Sequence, residues 1–150
     1  MLKNFFKANE NIKINECKKE KKLFLIACIL IEIAKSDDNF DDNELSNIKD
    51  ILKRNNHAIT TTEIDDIFND ALKETNNSVE MYSLTKEIRD MFEHNQILEL
   101  FQYMWEIILT DGEIDDFESG LIRKACGLFH VTGKESSLAK ENAMLALSKK

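Results

Sequence analysis

From Leu23 to Ala34 the chain reads LFLIACILIEIA, twelve residues in which only Glu32 is charged. That is too short for a bilayer span. The lysine-rich stretch before it also carries acids, and no small-x-small cleavage site follows, so it does not read as a secretory signal. A helix apolar on nearly every side belongs in the middle of a bundle. Further along, apolar residues recur at spacings of three and four, as at Ile64, Ile67, Phe68, Ala71 and Leu72, and at Leu121, Ile122, Ala125, Leu128 and Phe129. That is the period of a helix with one buried face. Helix starts are marked by a cap residue with glutamate three positions later: Asp41 with Glu44, Thr60 with Glu63, Asn77 with Glu80, Asp115 with Glu118, and Thr132 with Glu135. Together these signals predict helices near 2–9, 18–36, 42–55, 61–75, 78–92, 94–110, 116–130 and 133–147. The fold class is all-α: a compact bundle of about seven to eight helices with short connections.

Composition agrees. The 150 residues include no proline and 4 glycines, a poor supply for turns and strand edges, and the length suits one domain. Twenty basic against 28 acidic side chains give a net charge of −8, which argues against nucleic acid as a partner. The charge is unevenly spread. Residues 1–22, a basic N-terminal arm, hold seven lysines against Glu10, Glu16 and Glu20, a net of +4. Residues 23–150, the helical body, are left with 13 basic against 25 acidic, a net of −12. Met1 to Ala8 can form a short amphipathic helix with Leu2, Phe5 and Phe6 opposite Lys3 and Lys7, suited to packing on the body, to a protein partner or to an anionic membrane surface.

The chemistry-bearing residues narrow the field further. Cys17, Cys28 and Cys126 form no C-x-x-C pair and read as reduced thiols of a cytoplasmic protein. His57, His94 and His130 lie far apart, which gives zinc little support. No nucleophile elbow or phosphate-binding glycine loop is present, and an enzyme is not expected.

The most informative feature is a repeat at an offset of 74 residues. Glu32 to Glu44, EIAKSDDNFDDNE, aligns without a gap to Glu106 to Glu118, EIILTDGEIDDFE. Two helix-loop-helix units, related by pseudo-symmetry, thus share one acidic bend. An EF-hand reading starts well from Asp37 or Asp111 and then fails. Position six is Asp42 or Asp116 instead of glycine, and position twelve is Ile48 or Ile122 instead of glutamate. Capping accounts for Asp41 with Glu44 and Asp115 with Glu118. It does not account for Asp37 and Asp111, placed where the helix dipole disfavours negative charge, or for Glu32 and Glu106 inside apolar helices. Acids crowded at one bend repel unless something positive lies between them. A neighbouring lysine or solvent serves that purpose, and so does a hard divalent cation such as calcium, magnesium or manganese.

At these residues the sequence resembles the TerB-like domains, named after a tellurite-resistance protein. The resemblance rests on the doubled D-x-x-[FI]-x-x-x-E unit between helices, on Trp105-Glu106 followed by Asp111-Gly112-Glu113-Ile114, and on Met81-Tyr82-Ser83-Leu84-Thr85 between the units. It covers roughly Lys22 to Lys140; Asp38 stands where the family usually has glycine. It implies an all-helical domain with acids gathered near two loops, tied to stress responses to metals or toxic oxyanions and often proposed to bind a metal ion. The matching positions here are Glu32, Asp37, Asp41, Glu44, Glu106, Asp111, Asp115 and Glu118. Similar domains also precede a membrane-anchored co-chaperone, although this chain lacks the His-Pro-Asp signature of that partner domain.

The expectation is therefore a non-enzymatic, cytoplasmic module whose two acidic bends bind a divalent cation in a stress or tellurite-resistance setting. The alternative is an interaction adaptor, peripheral at the inner membrane, that docks on a membrane-associated protein or the membrane surface through residues 1–8 without metal.

Overall fold

The apolar run beginning at Leu23 forms a helix, α1, over residues 20–35, in which Leu23, Leu25, Ala27 to Ile31, Ile33 and Ala34 are all buried. Each large aliphatic side chain taken from water there contributes about 1.5–3 kcal/mol before the entropy of ordering it is subtracted. Six further helices follow in the computed structural model, which describes residues 20–35, 42–54, 60–76, 81–110 and 116–149: α2 (Asp42–Arg54), α3 (Thr61–Asn76), α4 (Met81–Met91), α5 (His94–Thr110), α6 (Asp116–Phe129) and α7 (Gly133–Ser148). The all-α bundle of about seven helices is thus observed, with no strand among the described residues. The expected helix at 2–9 lies outside them. None of the described helices is long and apolar enough to cross a membrane.

The second core helix is α5, where Ile97, Leu100, Phe101, Met104, Ile107 and Ile108 are buried. It packs on α7 and α2; α2 also packs on α3, and α6 on α4 and α7. Phe101 of α5 meets Phe129 of α6 edge to face, centroids 5.8 Å apart, a geometry aromatic rings favour beyond the area they bury. Between α2 and α3, Lys49 spans Asp65 at 3.5 Å and the Phe68 ring at 5.0 Å. The α1 entrance is tied to the α4–α5 corner by the Lys22 ammonium, 3.5 Å from Gln96 Oε1 and 5.6 Å from the Phe92 ring centroid.

Helix ends follow local chemistry. The Thr60 hydroxyl accepts from the Glu63 amide at 3.2 Å, as its cap position requires. At α7 the reciprocal capping box is complete: the Thr132 hydroxyl accepts from the Glu135 amide, and Glu135 accepts from the Thr132 amide. Helix α6 stops on His130, whose φ of 57° is left-handed, and the Val131 amide then donates to the Cys126 carbonyl at 2.9 Å. This is the six-to-one bond of a Schellman ending, with histidine where glycine is usual.

Described helices flank both acidic segments. α2 begins at Asp42 and α6 at Asp116. The bends themselves, 36–41 and 111–115, lie outside the described residues.

Candidate cation site

Of the eight acids singled out by the repeat, Asp37, Asp41, Asp111 and Asp115 lie outside the described residues, and Glu118 is placed by its backbone in the first turn of α6. The remaining three have distinct surroundings. Glu32 sits in the last turn of α1, half-buried among apolar neighbours. Burial pushes its carboxyl above the usual range, with Lys35 pulling the other way. The Lys35 ammonium is itself bound to α3, donating to Thr75 Oγ1 at 3.2 Å. No side chain among the described residues forms an ion pair with Glu32. Glu44, in the first turn of α2, is only 6% exposed.

Glu106 is 2% exposed, and its charge is already met: Arg54 Nη2 donates to Glu106 Oε1 at 2.9 Å. Arg54 closes α2 and reaches α5 across the α2–α5 contact, keeping 38% of its side chain in solvent. One turn further along α5, the Thr110 hydroxyl donates back to the Glu106 carbonyl at 2.6 Å, which satisfies one of the helix's last acceptors. The pair also marks its surroundings. The Tyr103 phenol is pushed up to about 12, by burial first and then by Glu99 and Glu106, against an opposing pull from Arg54.

Beside Glu32, the Cys28 thiol is pushed up to about 12 by burial and then by Glu74, Glu32 and Glu87. Cys28 is buried in the core. Cys28 and Cys126 are both free.

As donors, carboxylates suit hard divalent cations. Glu32 fits that use, since it carries a half-buried charge with no ion pair among the described residues, whereas Glu106 already faces a guanidinium. Among the described residues no three His, Cys, Asp or Glu side chains come close enough together to hold a metal ion. The described histidines, His94 and His130, each have a side-chain partner. His94 Nε2 lies 2.7 Å from Glu135 Oε2, linking the starts of α5 and α7. Arg89 Nη1 donates to His130 Nε2 at 2.9 Å, so that ring nitrogen is unprotonated. His57 lies outside the described residues.

Sequence reasoning missed Arg54. Its visible signal was a basic residue at a helix end, which the dipole alone explains. Nothing along the chain ties it to a glutamate 52 positions away.

No curated protein and no solved structure matches the chain significantly. The family model described as "Tellurite resistance protein TerB" matches residues 23–141, which takes in α1 to α6 and more than half of α7. The chain therefore belongs to the TerB family.

Proposed function

We propose that this TerB domain is a non-enzymatic cytoplasmic module that binds a divalent cation through the acids of its two bends, in a stress or tellurite-resistance setting. The ligand set is drawn from Asp37, Asp41 and Glu44 with Glu32 behind them, and from Asp111, Asp115 and Glu118. Calcium, magnesium or manganese suits such oxygens. The observation that carries this reading is Glu32: a charge on the central helix, half-buried, with no ion pair among the described residues. Such placement opposes stability unless a positive species offsets it.

Melting the full chain in EDTA and then in millimolar calcium, magnesium or manganese tests it. A bound ion at a hundredfold excess over its dissociation constant adds about 2.7 kcal/mol. The Asp37→Asn/Asp111→Asn variant loses that gain and, without metal, is at least as stable as the wild type. Melting unchanged by every cation contradicts the reading.

A second reading is an adaptor that docks on a membrane-associated protein through residues 1–8 without metal, with exposed apolar side chains of α7 as a further contact surface. Leu138, Met144 and Leu145 of α7 are exposed. Deleting residues 1–8 then abolishes binding to partner or vesicle and leaves melting unchanged; binding that survives the deletion removes the arm from the account.

A further inference from the structure

Glu32 and Glu106, which occupy matching places in the two units, have different electrostatic partners. We infer that Arg54 is the resident counter-cation of Glu106, and that Glu106 is therefore withheld from any bound metal ion. The inference rests on the cation-binding reading above and accounts for leaving Glu106, one of the eight acids of the repeat, out of its ligand set.

Three observations carry it. First, the ion pair is short, 2.9 Å, and one end is almost fully enclosed: Glu106 is 2% exposed, so the guanidinium supplies the compensation that solvent would otherwise give. Second, Arg54 reaches Glu106 from another helix, so the pair depends on how α2 meets α5 rather than on the acidic segment following α5. Third, the chain does not repeat the device. Adding the 74-residue offset to Arg54 leads to Leu128, a half-buried aliphatic with no charge to offer. Glu32, the offset partner of Glu106, accordingly forms no ion pair among the described residues. Glu106 is held in a short ion pair with a cation from another helix, whereas Glu32 feels only the electrostatic pull of Lys35, whose ammonium donates to Thr75.

A set of five full-length proteins tests this: wild type, Arg54→Met, Glu106→Gln, the Arg54→Met/Glu106→Gln double variant, and Glu32→Gln. Each is melted in EDTA and in excess calcium, magnesium or manganese chloride. In EDTA, Arg54→Met lowers the midpoint by roughly 5 °C, because it strands a buried carboxylate. Adding Glu106→Gln to it restores most of that loss, since the stranded charge is gone. In excess cation, Glu106→Gln keeps the wild-type rise and Glu32→Gln loses it. Two strictly additive losses in EDTA overturn the inference, and so does loss of the cation response in Glu106→Gln. A wild type that ignores every cation removes the metal reading instead, and the EDTA measurements still decide whether Arg54 neutralises Glu106. Should Arg54→Met fail to fold, recovery of folding in the double variant supports the pairing, and failure of the double variant as well overturns it.

Discussion

The Trp105 indole N–H donates to the Ser136 hydroxyl at 3.2 Å across the α5–α7 seam, and the Lys140 ammonium, one turn further along α7, lies 5.1 Å from the centre of the same ring. Both Trp105 and Ser136 are buried, so this bond has no water to replace it. Ser136→Ala strands the indole N–H and costs about 1–3 kcal/mol, whereas Trp105→Phe removes the donor with the bond and gives up ring area instead. Adding Ser136→Ala to Trp105→Phe therefore costs far less than adding it to the wild type. Urea titrations followed by circular dichroism on the four proteins check this; equal costs in both backgrounds would mean the bond contributes nothing.

The start of α7 should be sensitive to acid. The Glu135 carboxyl is held below its usual range, mainly by the Thr132 amide, then by the His94 side chain and the Thr132 hydroxyl. A carboxyl whose folded pKa lies below its unfolded one adds stability that is fully present above the unfolded pKa and is lost as pH falls through the folded one. Glu135→Gln should flatten that part of the acid dependence of the melting midpoint. Thr132→Ala, which removes the cap, should cost about 1 kcal/mol near neutrality.

Glu32 has the opposite sign. Its carboxyl is raised by burial, so the folded state holds the proton more tightly than the unfolded chain does. That contribution is fully present in acid and is lost as pH rises through the raised folded value. In EDTA, Glu32→Gln should melt higher than the wild type near neutrality, with the advantage shrinking toward acid. A gap that widens toward acid would show that the charged form is the favoured one in the fold.

His130 tests the turn between α6 and α7. Its φ of 57° suits glycine, tolerates histidine and excludes β-branched side chains. His130→Gly should be close to neutral, relief of the left-handed backbone offsetting the lost Arg89 contact and the added freedom of the unfolded chain. His130→Val should lose about 1–3 kcal/mol. Thermal melts of the two variants distinguish a backbone requirement from a side-chain one.

Much of this architecture was legible along the chain because helix signals are local. The run from Leu23 to Ala34 could only be buried, and Thr132 with Glu135 marked the start of α7 from two side chains three residues apart. The end of α6 was less legible: the spacing extended the helix to His130, but nothing in a histidine announces a left-handed backbone. The site was legible as a pattern and not as a geometry. Glu106 read as a carboxylate in need of a cation, and it was one; the cation was Arg54, brought there by the way α2 crosses α5. Periodicity carries no record of such a crossing.

The cation claim is met most directly by calorimetric titration of the chelator-stripped full chain with calcium, magnesium and manganese. Saturable binding of at least one of them, lost in Asp37→Asn/Asp111→Asn and retained in Glu106→Gln, is the predicted result. No binding of any of the three, or binding that the double variant leaves intact, contradicts it.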